Sequence, residues 1–468
     1  MRTKLVNLSA NTLQLVINQL SGLVIFYILS ISLDKNSFGE INLALALLLA
    51  SFNILSFGID QVAVRKIASG EDPQNIISLY FVHVLITGFV FYGLLLLGRG
   101  LFPTHTGTYN LVLLIGIGKL AIYFSMVFKQ SAIGTERFKL LARMSVITNV
   151  VRGLALLIMA ILHMVTLNSV VIIFICGDVL ELLAGLYFFK QETGLPSAIT
   201  WNKGAYISLL KESLPQLGVV IITSALARFD WIFIGIVVSA IKLAEYSFAY
   251  KVFELSTLPL LAIAPILIPW FTRMFKEGEP NMDRLKLLAR AEIIIAALTV
   301  LLLNICWTPV IDPLTHGKYG LVNERTLFIL SLCIPLQYLC NFFWTIYFAK
   351  GQLKLILKGF VITFSINIIG DIILIPLYKN EGAAIACFAG FLAQIIFYTW
   401  KNELKTLNKV MYNLVICTAC ACGCLFATRL LFSNVWVSIG SAILCFVGLL
   451  FATGQVRLSD AKAIRSLN

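Results

Sequence analysis

Long apolar runs separated by short polar breaks constrain this chain more than any other feature of its sequence. A membrane-spanning helix needs about 20 mostly apolar residues, and residues 214–238, LPQLGVVIITSALARFDWIFIGIVV, form one such run. Fourteen segments of this kind lie near residues 8–31, 40–62, 79–98, 109–128, 146–166, 168–189, 213–238, 244–270, 288–309, 326–349, 359–378, 381–399, 410–432 and 434–456. We therefore predict an all-α polytopic membrane protein with fourteen spans and no separate soluble domain.

The basic residues are distributed unequally among the connections between these spans. With the N-terminus in the cytoplasm, the cytoplasmic segments, counted with Arg290 at the edge of a span, hold 25 of the 36 Lys and Arg residues. The outer connections, counted with Arg429 at the edge of another span, hold 7, and 4 lie deeper inside spans. Cytoplasmic loops of membrane proteins carry such an excess of basic residues. We therefore predict that both termini are cytoplasmic. The net charge of +13 then reflects membrane orientation, and we expect no nucleic-acid partner.

Three pairs of short segments indicate an internal repeat, and their offsets of 215, 208 and 205 residues agree on one register. The pairs are KLLARMSVIT (139–148) with KLILKGFVIT (354–363), RKIASGE (65–71) with RMFKEGE (273–279), and FGEINLA (38–44) with LAEYSFA (243–249). Spans 1–6 therefore repeat as spans 7–12. Since six is even, both halves start from the same side of the membrane and form parallel repeats.

The repeat predicts three parts of the chain. These are an N-terminal six-helix lobe (1–205), a second six-helix lobe (206–405), and two accessory helices with a cytoplasmic tail (406–468). Two lobes related by an axis along the membrane normal suit alternating access around a central cavity. We therefore expect a transporter.

Four motifs resemble those of a known superfamily. They are FGEINLALALL at the start of span 2, the R-x-x-x-x-G-E pattern of residues 65–71, LPQLG at the start of span 7 followed by an Asp, and LIPLYKNEGAAIA (374–386). With these motifs the chain resembles the multidrug/oligosaccharidyl-lipid/polysaccharide (MOP) flippase superfamily, and within it the polysaccharide-exporter (Wzx-type) branch.

The resemblance implies a function and its partners. Such proteins move undecaprenyl-pyrophosphate-linked oligosaccharides across the bacterial cytoplasmic membrane for surface polysaccharide assembly, without a cofactor and without catalysis. Membrane lipids, polysaccharide-assembly proteins and a coupling proton or sodium ion are the further partners that it implies. It also implies that residues 410–456 help to form a groove for the lipid tail.

A lipid-linked diphosphate requires cations within the membrane, and charged residues there are costly and mark functional sites. Arg binds phosphate through its bidentate fork, while Lys acts as a point charge. The substrate-binding candidates are thus the four bases inside spans, Lys119, Arg152, Arg228 and Lys251. For two of these residues an alternative to substrate binding stays open. Lys119 could instead pair with an acid such as Asp178 or Glu181, and the Arg152 side chain could instead extend to the cytoplasmic interface.

Asn18 is a further substrate-binding candidate, because Asn11, Gln14 and Asn18 form one polar stripe on span 1. These side chains are placed to bind sugar hydroxyls or to form hydrogen bonds between helices.

Arg228 and Asp230 share one span but point about 160° apart on a helix, so they cannot pair with each other. Counting residues from the turn near position 241 places Asp230 at the depth of Lys251, and Arg228 at the depth of Glu254. We therefore predict two ion pairs between spans 7 and 8. Either these pairs only neutralise the buried charges, or at least one of the two bases also binds the diphosphate of the substrate. Asp60 and Asp371 are single intramembrane acids, and we consider them candidates for ion coupling.

Two other functions compete with the flippase. An ion-coupled multidrug antiporter of the same superfamily usually carries acids in span 1, which is uncharged here. A membrane polysaccharide polymerase needs a larger outer loop than residues 310–325 provide. The chain has no phosphate-cradling G-x-x-x-x-G-K-[ST] motif, and the CTACACGC segment (417–424) lies in an apolar run, so we expect helix packing there and no metal site.

Overall fold

The computed structural model describes residues 18–101, 106–193, 200–277, 281–432 and 434–456. These residues form helices and short turns, with no strand among them. The helices are α1 (Asn18–Ser32), α2 (Lys35–Leu55), α3 (Ile59–Ala68), α4 (Pro73–Leu97), α5 (Thr106–Gly134), α6 (Phe138–Ile161), α7 (Leu167–Thr193), α8 (Lys203–Phe233), α9 (Ala240–Ser256), α10 (Leu258–Glu277), α11 (Met282–Thr315), α12 (Glu324–Ala349), α13 (Leu353–Lys401), α14 (Val410–Leu431) and α15 (Val435–Ala452).

Within the described residues, 11 helical segments are long and apolar enough to cross a membrane. Backbone N–H and C=O groups cannot be left unpaired in lipid, so apolar runs of this length become helices. Polar caps mark where several of them begin. The Asp34 carboxylate accepts the N–H groups of Asn36 and Ser37 at the start of α2. The prediction of an all-helical membrane protein is confirmed, while the count of fourteen spans and the cytoplasmic termini stay predictions.

Two spans that the sequence predicts as continuous contain irregular turns. Span 2 is divided into α2 and α3 by Phe57 and Gly58, which have φ values of 55° and 73°. A Cβ atom on Gly58 would lie 2.8 Å from the Gln216 side chain, so α8 approaches the backbone closely there. The last turn of span 7, Ile234–Val238, is π-helical. Such turns contain one residue more than an α-helical turn and are frequent at functional sites.

The helix α13 is interrupted at Lys379, where φ is 52° and ψ is −124°. Its two halves then lie side by side. A Cβ atom on Gly370 would approach the Ala386 side chain to 2.8 Å, and one on Gly390 would lie 3.2 Å from the Thr363 carbonyl oxygen. Small residues allow such close helix packing in lipid, where the hydrophobic effect does not drive helices together. The two halves correspond to the segments 359–378 and 381–399.

The chain divides into two compact units, Met1–Ala244 and Glu245–Asn468. In the first unit, α2–α7 surround a core that includes Tyr80, Tyr123 and Phe128, and α8 packs on α2 and α3. In the second unit, the accessory helices α14 and α15 join the core through Cys417 and Phe446 and pack against α11. The predicted boundaries at 205/206 and 405/406 stay a prediction about the transport lobes.

Polar contacts connect α8 to α2, α3 and α4 within the first unit. The Asn53 amide donates to the Ser224 hydroxyl at 3.3 Å, and Glu212 pairs with Lys66 at 3.3 Å. His83, which is buried, bridges two elements: Nε2 donates to the Leu55 carbonyl oxygen and Nδ1 is 2.9 Å from the Tyr206 hydroxyl. Because a carbonyl oxygen only accepts, the neutral imidazole accepts its second hydrogen bond from Tyr206. These contacts determine where the first half of span 7 lies on the first unit.

Candidate functional site

A buried ion network joins α5, α6 and α7 in the first unit. Asp178 on α7 is fully buried, and it pairs with Lys119 on α5 at 3.0 Å and with Arg152 on α6. Two glycines permit this approach: a Cβ atom would lie 2.7 Å from the Asp178 carboxylate at Gly118 and 2.5 Å from Arg152 Cγ at Gly177. The structure therefore brings together two of the predicted bases, and Asp178 is the acid with which Lys119 pairs.

A second acid extends this network by one turn of α7. Glu181 pairs with Lys129 and accepts a hydrogen bond of 3.3 Å from the Ser125 hydroxyl, both on α5. Together the network holds three bases, Lys119, Lys129 and Arg152, against two acids. If all five groups are ionised, the network carries one surplus positive charge.

Asn18 also lies near this part of α6. Its side-chain oxygen accepts a hydrogen bond of 2.9 Å from the Asn149 amide, one turn before Arg152. Of the two roles considered for Asn18, binding of sugar hydroxyls and hydrogen bonding between helices, the structure shows the second. Asn11 and Gln14, on the same predicted stripe, lie outside the described residues.

Arg228 and Asp230 have different surroundings within the first unit. Arg228 is partly buried, its Nη1 donates to the Ala227 carbonyl oxygen at 2.9 Å, and its guanidinium lies 4.5 Å from the centre of the Trp231 ring. Among the described residues of this unit, no carboxylate forms an ion pair with Arg228. Asp230 is buried and accepts the Trp231 N–H at 2.8 Å. Arg228 therefore keeps N–H donors for a further acceptor.

Lys251 and Glu254 pair with each other at 2.7 Å on α9. Residues three apart on a helix are neighbours, so this contact lies within one helix, whereas the predicted pairs join two spans. The predicted pairs Asp230–Lys251 and Arg228–Glu254 each join the first unit to the second, and they stay predictions.

The two single acids lie in different settings. Asp60 is in the first turn of α3, where it accepts hydrogen bonds from the Ser56 hydroxyl at 3.4 Å and the Gln61 amide at 3.3 Å. Carboxylates are favoured at helix N-termini because of the helix dipole. Asp371 is fully buried in the first half of α13. Their role in ion coupling stays a prediction.

Two charged residues of the spans escaped the sequence prediction. Lys129 follows directly after the predicted span 109–128, but it lies within α5 and binds Glu181. Glu292 on α11 is buried, and its Oε2 atom has no hydrogen-bond partner among the described residues. The signal for Glu292 was its place directly before the apolar run IIIAALTVLLL (293–303).

The described residues contain no group of three or more His, Cys, Asp or Glu side chains that could hold a metal ion. A cavity of about 740 Å³ lies in the first unit between α2, α4, α5 and the π-helical turn. It is lined mostly by apolar side chains and contains none of the predicted site residues. The ion network is therefore a separate feature from this cavity.

Comparison with known proteins agrees with this architecture. The model of the family described as "Polysaccharide biosynthesis protein" matches residues 5–275. The fold resembles that of a solved lipid II flippase, MurJ, in an inward closed conformation, with a TM-score of 0.75 and 14% identity over 96% of this chain and 99% of that one. No curated protein matches the chain by sequence.

Multidrug transporters have a related fold at similar identity. An inward-facing multidrug resistance transporter of the MATE family matches with a TM-score of 0.59 and 16% identity over 85% of this chain and 99% of that one. A MOP superfamily transporter from Pyrococcus furiosus matches with a TM-score of 0.54 and 15% identity over 87% and 96%. Because the family model spans more than half of the 468 residues, the chain belongs to the polysaccharide biosynthesis protein family, and its resemblance to the MOP flippase superfamily is confirmed.

Proposed function

We propose that this protein is an alternating-access flippase that moves an undecaprenyl-pyrophosphate-linked oligosaccharide across the bacterial cytoplasmic membrane for surface polysaccharide assembly. Membership of the polysaccharide biosynthesis protein family supports the biological process. The shared fold with transporters of the MOP superfamily, one of which is named for flipping lipid II, supports the transport class.

The surplus positive charge in the first unit carries the proposal. When all five groups are ionised, Lys119, Lys129 and Arg152 exceed Asp178 and Glu181 by one positive charge, and both acids and Arg152 are buried. An uncompensated buried charge is costly, and a diphosphate supplies the missing negative charge. This arrangement favours an anionic cargo over the cationic drugs of an antiporter.

Arg228 provides a second cation for the diphosphate. Its guanidinium lies against Trp231 and has no carboxylate partner among the described residues of the first unit. Lys251, in the second unit, is a further proposed substrate-binding residue, and its partner in the structure is Glu254. The buried acids Asp230 and Asp371, together with Asp60, are then the groups that respond to a proton or sodium ion.

Those buried acids also favour the second candidate function, an ion-coupled multidrug antiporter. Asp371 is fully buried and Asp230 is 7% exposed, and acids in such positions attract a cationic substrate or ion. The two functions differ in the charge of the cargo.

The test is transport in proteoliposomes with a fluorescent undecaprenyl-diphosphate oligosaccharide on one side and a cationic dye as the competing cargo. We expect wild-type protein to move the lipid-linked sugar, and Arg228→Gln to lower its initial rate roughly 10- to 100-fold, as expected for a lost charge-assisted hydrogen bond. The control is Arg137→Gln, since Arg137 also donates to a carbonyl oxygen, that of Glu192, but is exposed. Uptake of the dye without movement of the lipid would instead establish the antiporter.

A further inference from the structure

A small cavity with a paired cation and anion lies in the second unit, between the accessory helices and the rest of the core. Its volume is about 280 Å³. It is lined by residues of α11, α12, α14, α15 and the α14–α15 turn, among them Ile305, Thr308, Pro309, Glu324, Arg429 and Ser438. None of these residues takes part in the ion network of the first unit.

The polar groups of this cavity divide into donors and acceptors. Arg429 pairs with Glu324 and donates to the Asn304 carbonyl oxygen at 2.5 Å. Both ionised side chains keep about a third of their surface exposed, 32% for Arg429 and 35% for Glu324. The buried Thr308 hydroxyl oxygen has no hydrogen-bond partner among the described residues. Pro309 has no N–H, so it cannot donate the usual helical hydrogen bond to the carbonyl oxygen of Ile305, four residues earlier.

The exposed Trp436 beside this cavity indicates that it lies near the depth of the lipid headgroups. Trp436, at the first turn of α15, is 79% exposed, and Leu430 and Leu431 at the end of α14 are 87% and 73% exposed. Tryptophan is enriched at the membrane–water interface, where its ring lies at headgroup level. An ion pair near this depth is within reach of lipid phosphates and amines.

We propose that this cavity binds the headgroup of a phospholipid with a primary amine, of the phosphatidylethanolamine type. The phosphate accepts hydrogen bonds from Arg429 and the Thr308 hydroxyl. The ammonium donates to the Glu324 carboxylate and to the Ile305 carbonyl oxygen. A zwitterionic headgroup matches the two charges of the site, whereas a purely anionic headgroup meets the carboxylate of Glu324. The site goes beyond the proposed transport function and connects the accessory helices to one class of lipid.

The experiment compares three phospholipids with the same acyl chains and ethanolamine, choline or glycerol headgroups. Each is titrated into the delipidated full-length protein, and the bound fraction is measured by native mass spectrometry. Choline has no N–H donor, so we expect ethanolamine lipid to bind roughly tenfold more tightly than choline lipid. Glu324→Gln should remove this preference, and Arg429→Gln should weaken binding of both lipids.

The matched control is Glu192→Gln, which breaks an exposed Arg143–Glu192 ion pair of 2.8 Å in the first unit and should leave the preference intact. If Glu324→Gln does not fold, Ser438→Phe fills the cavity and should abolish headgroup selectivity. The proposal is overturned if wild-type protein does not distinguish ethanolamine from choline, if the preference survives in Glu324→Gln or in Ser438→Phe, or if glycerol lipid binds most tightly.

Discussion

Replacing Asp178 with Asn would leave Lys119 and Arg152 facing each other with no acid between them. Replacing Lys119 with Gln is milder, because Asp178 keeps Arg152 as its partner. The two substitutions also change the surplus charge in opposite directions: Lys119→Gln removes it, and Asp178→Asn raises it by one. This opposition separates a structural role of the network from a role in substrate binding.

The magnitudes follow from burial. Asp178 is fully buried, and removing one partner of a buried ion pair costs about 3–5 kcal/mol. Lys119→Gln should cost about 1.5–3 kcal/mol, the range for losing one hydrogen bond to a charged group. The variant that is more harmful to stability should be less harmful to binding of a diphosphate ligand. Lys119→Gln should weaken this binding roughly tenfold or more, while Asp178→Asn should retain or tighten it.

Two assays on the same purified variants test this reversal. Unfolding by SDS titration in mixed micelles gives the change in stability, and equilibrium binding of a fluorescent undecaprenyl diphosphate gives the change in affinity. We expect Asp178→Asn to be the less stable variant and the tighter binder. If Asp178→Asn were lower in both stability and affinity, the network would be purely structural and the surplus charge would have no part in binding.

Three further outcomes are expected. Glu292→Gln should leave the thermal unfolding temperature unchanged or raise it, because the buried Oε2 atom has no hydrogen-bond partner among the described residues; a large decrease would show that the carboxylate is paired. Gly58→Val should destabilise the protein by roughly 1–3 kcal/mol through the positive φ and the contact with Gln216, and an unchanged SDS unfolding midpoint would contradict this. The Lys350 ammonium donates to Glu403 and lowers the pKa of that exposed carboxyl. The stabilisation is therefore present above the ordinary carboxyl pKa and is lost as the pH falls through the lowered one. Lys350→Met should reduce the loss of thermal stability between pH 7 and pH 3, and a loss equal to that of wild type would contradict it.

Much of the fold follows from the sequence because hydropathy reports which segments lie in lipid. The helices α4, α5 and α6 fall on predicted spans to within several residues, and Asp178 was one of the two acids considered for Lys119. Counting residues along a span gives the depth of a side chain, but not the face on which it meets a neighbouring helix. Depth alone therefore predicts partners on the neighbouring span and does not reveal the bond between Lys251 and Glu254 on one helix.

Two further differences have local causes. The break at Phe57 and Gly58 lies inside a segment that is long and apolar enough on average to form one span, so its mean hydropathy gives no sign of the break. Gly58 adopts a positive φ without steric cost, and Phe57 beside it also has a positive φ. Lys129 falls just outside the predicted span 109–128, because a basic residue near the end of an apolar run usually marks the cytoplasmic surface. Its acid, Glu181, comes from a different helix, and sequence distance alone does not connect them.

The π-helical turn at Ile234–Val238 has a consequence for the direction in which span 7 presents its charges. A π turn holds one residue more than an α turn, and one residue corresponds to a rotation of about 100°. Converting this turn to regular α-helix would rotate the whole preceding part of α8, including Arg228 and Asp230, by that angle relative to Ser239 and the chain that follows. A single-residue deletion within the turn would therefore re-aim both side chains while leaving the composition of α8 unchanged.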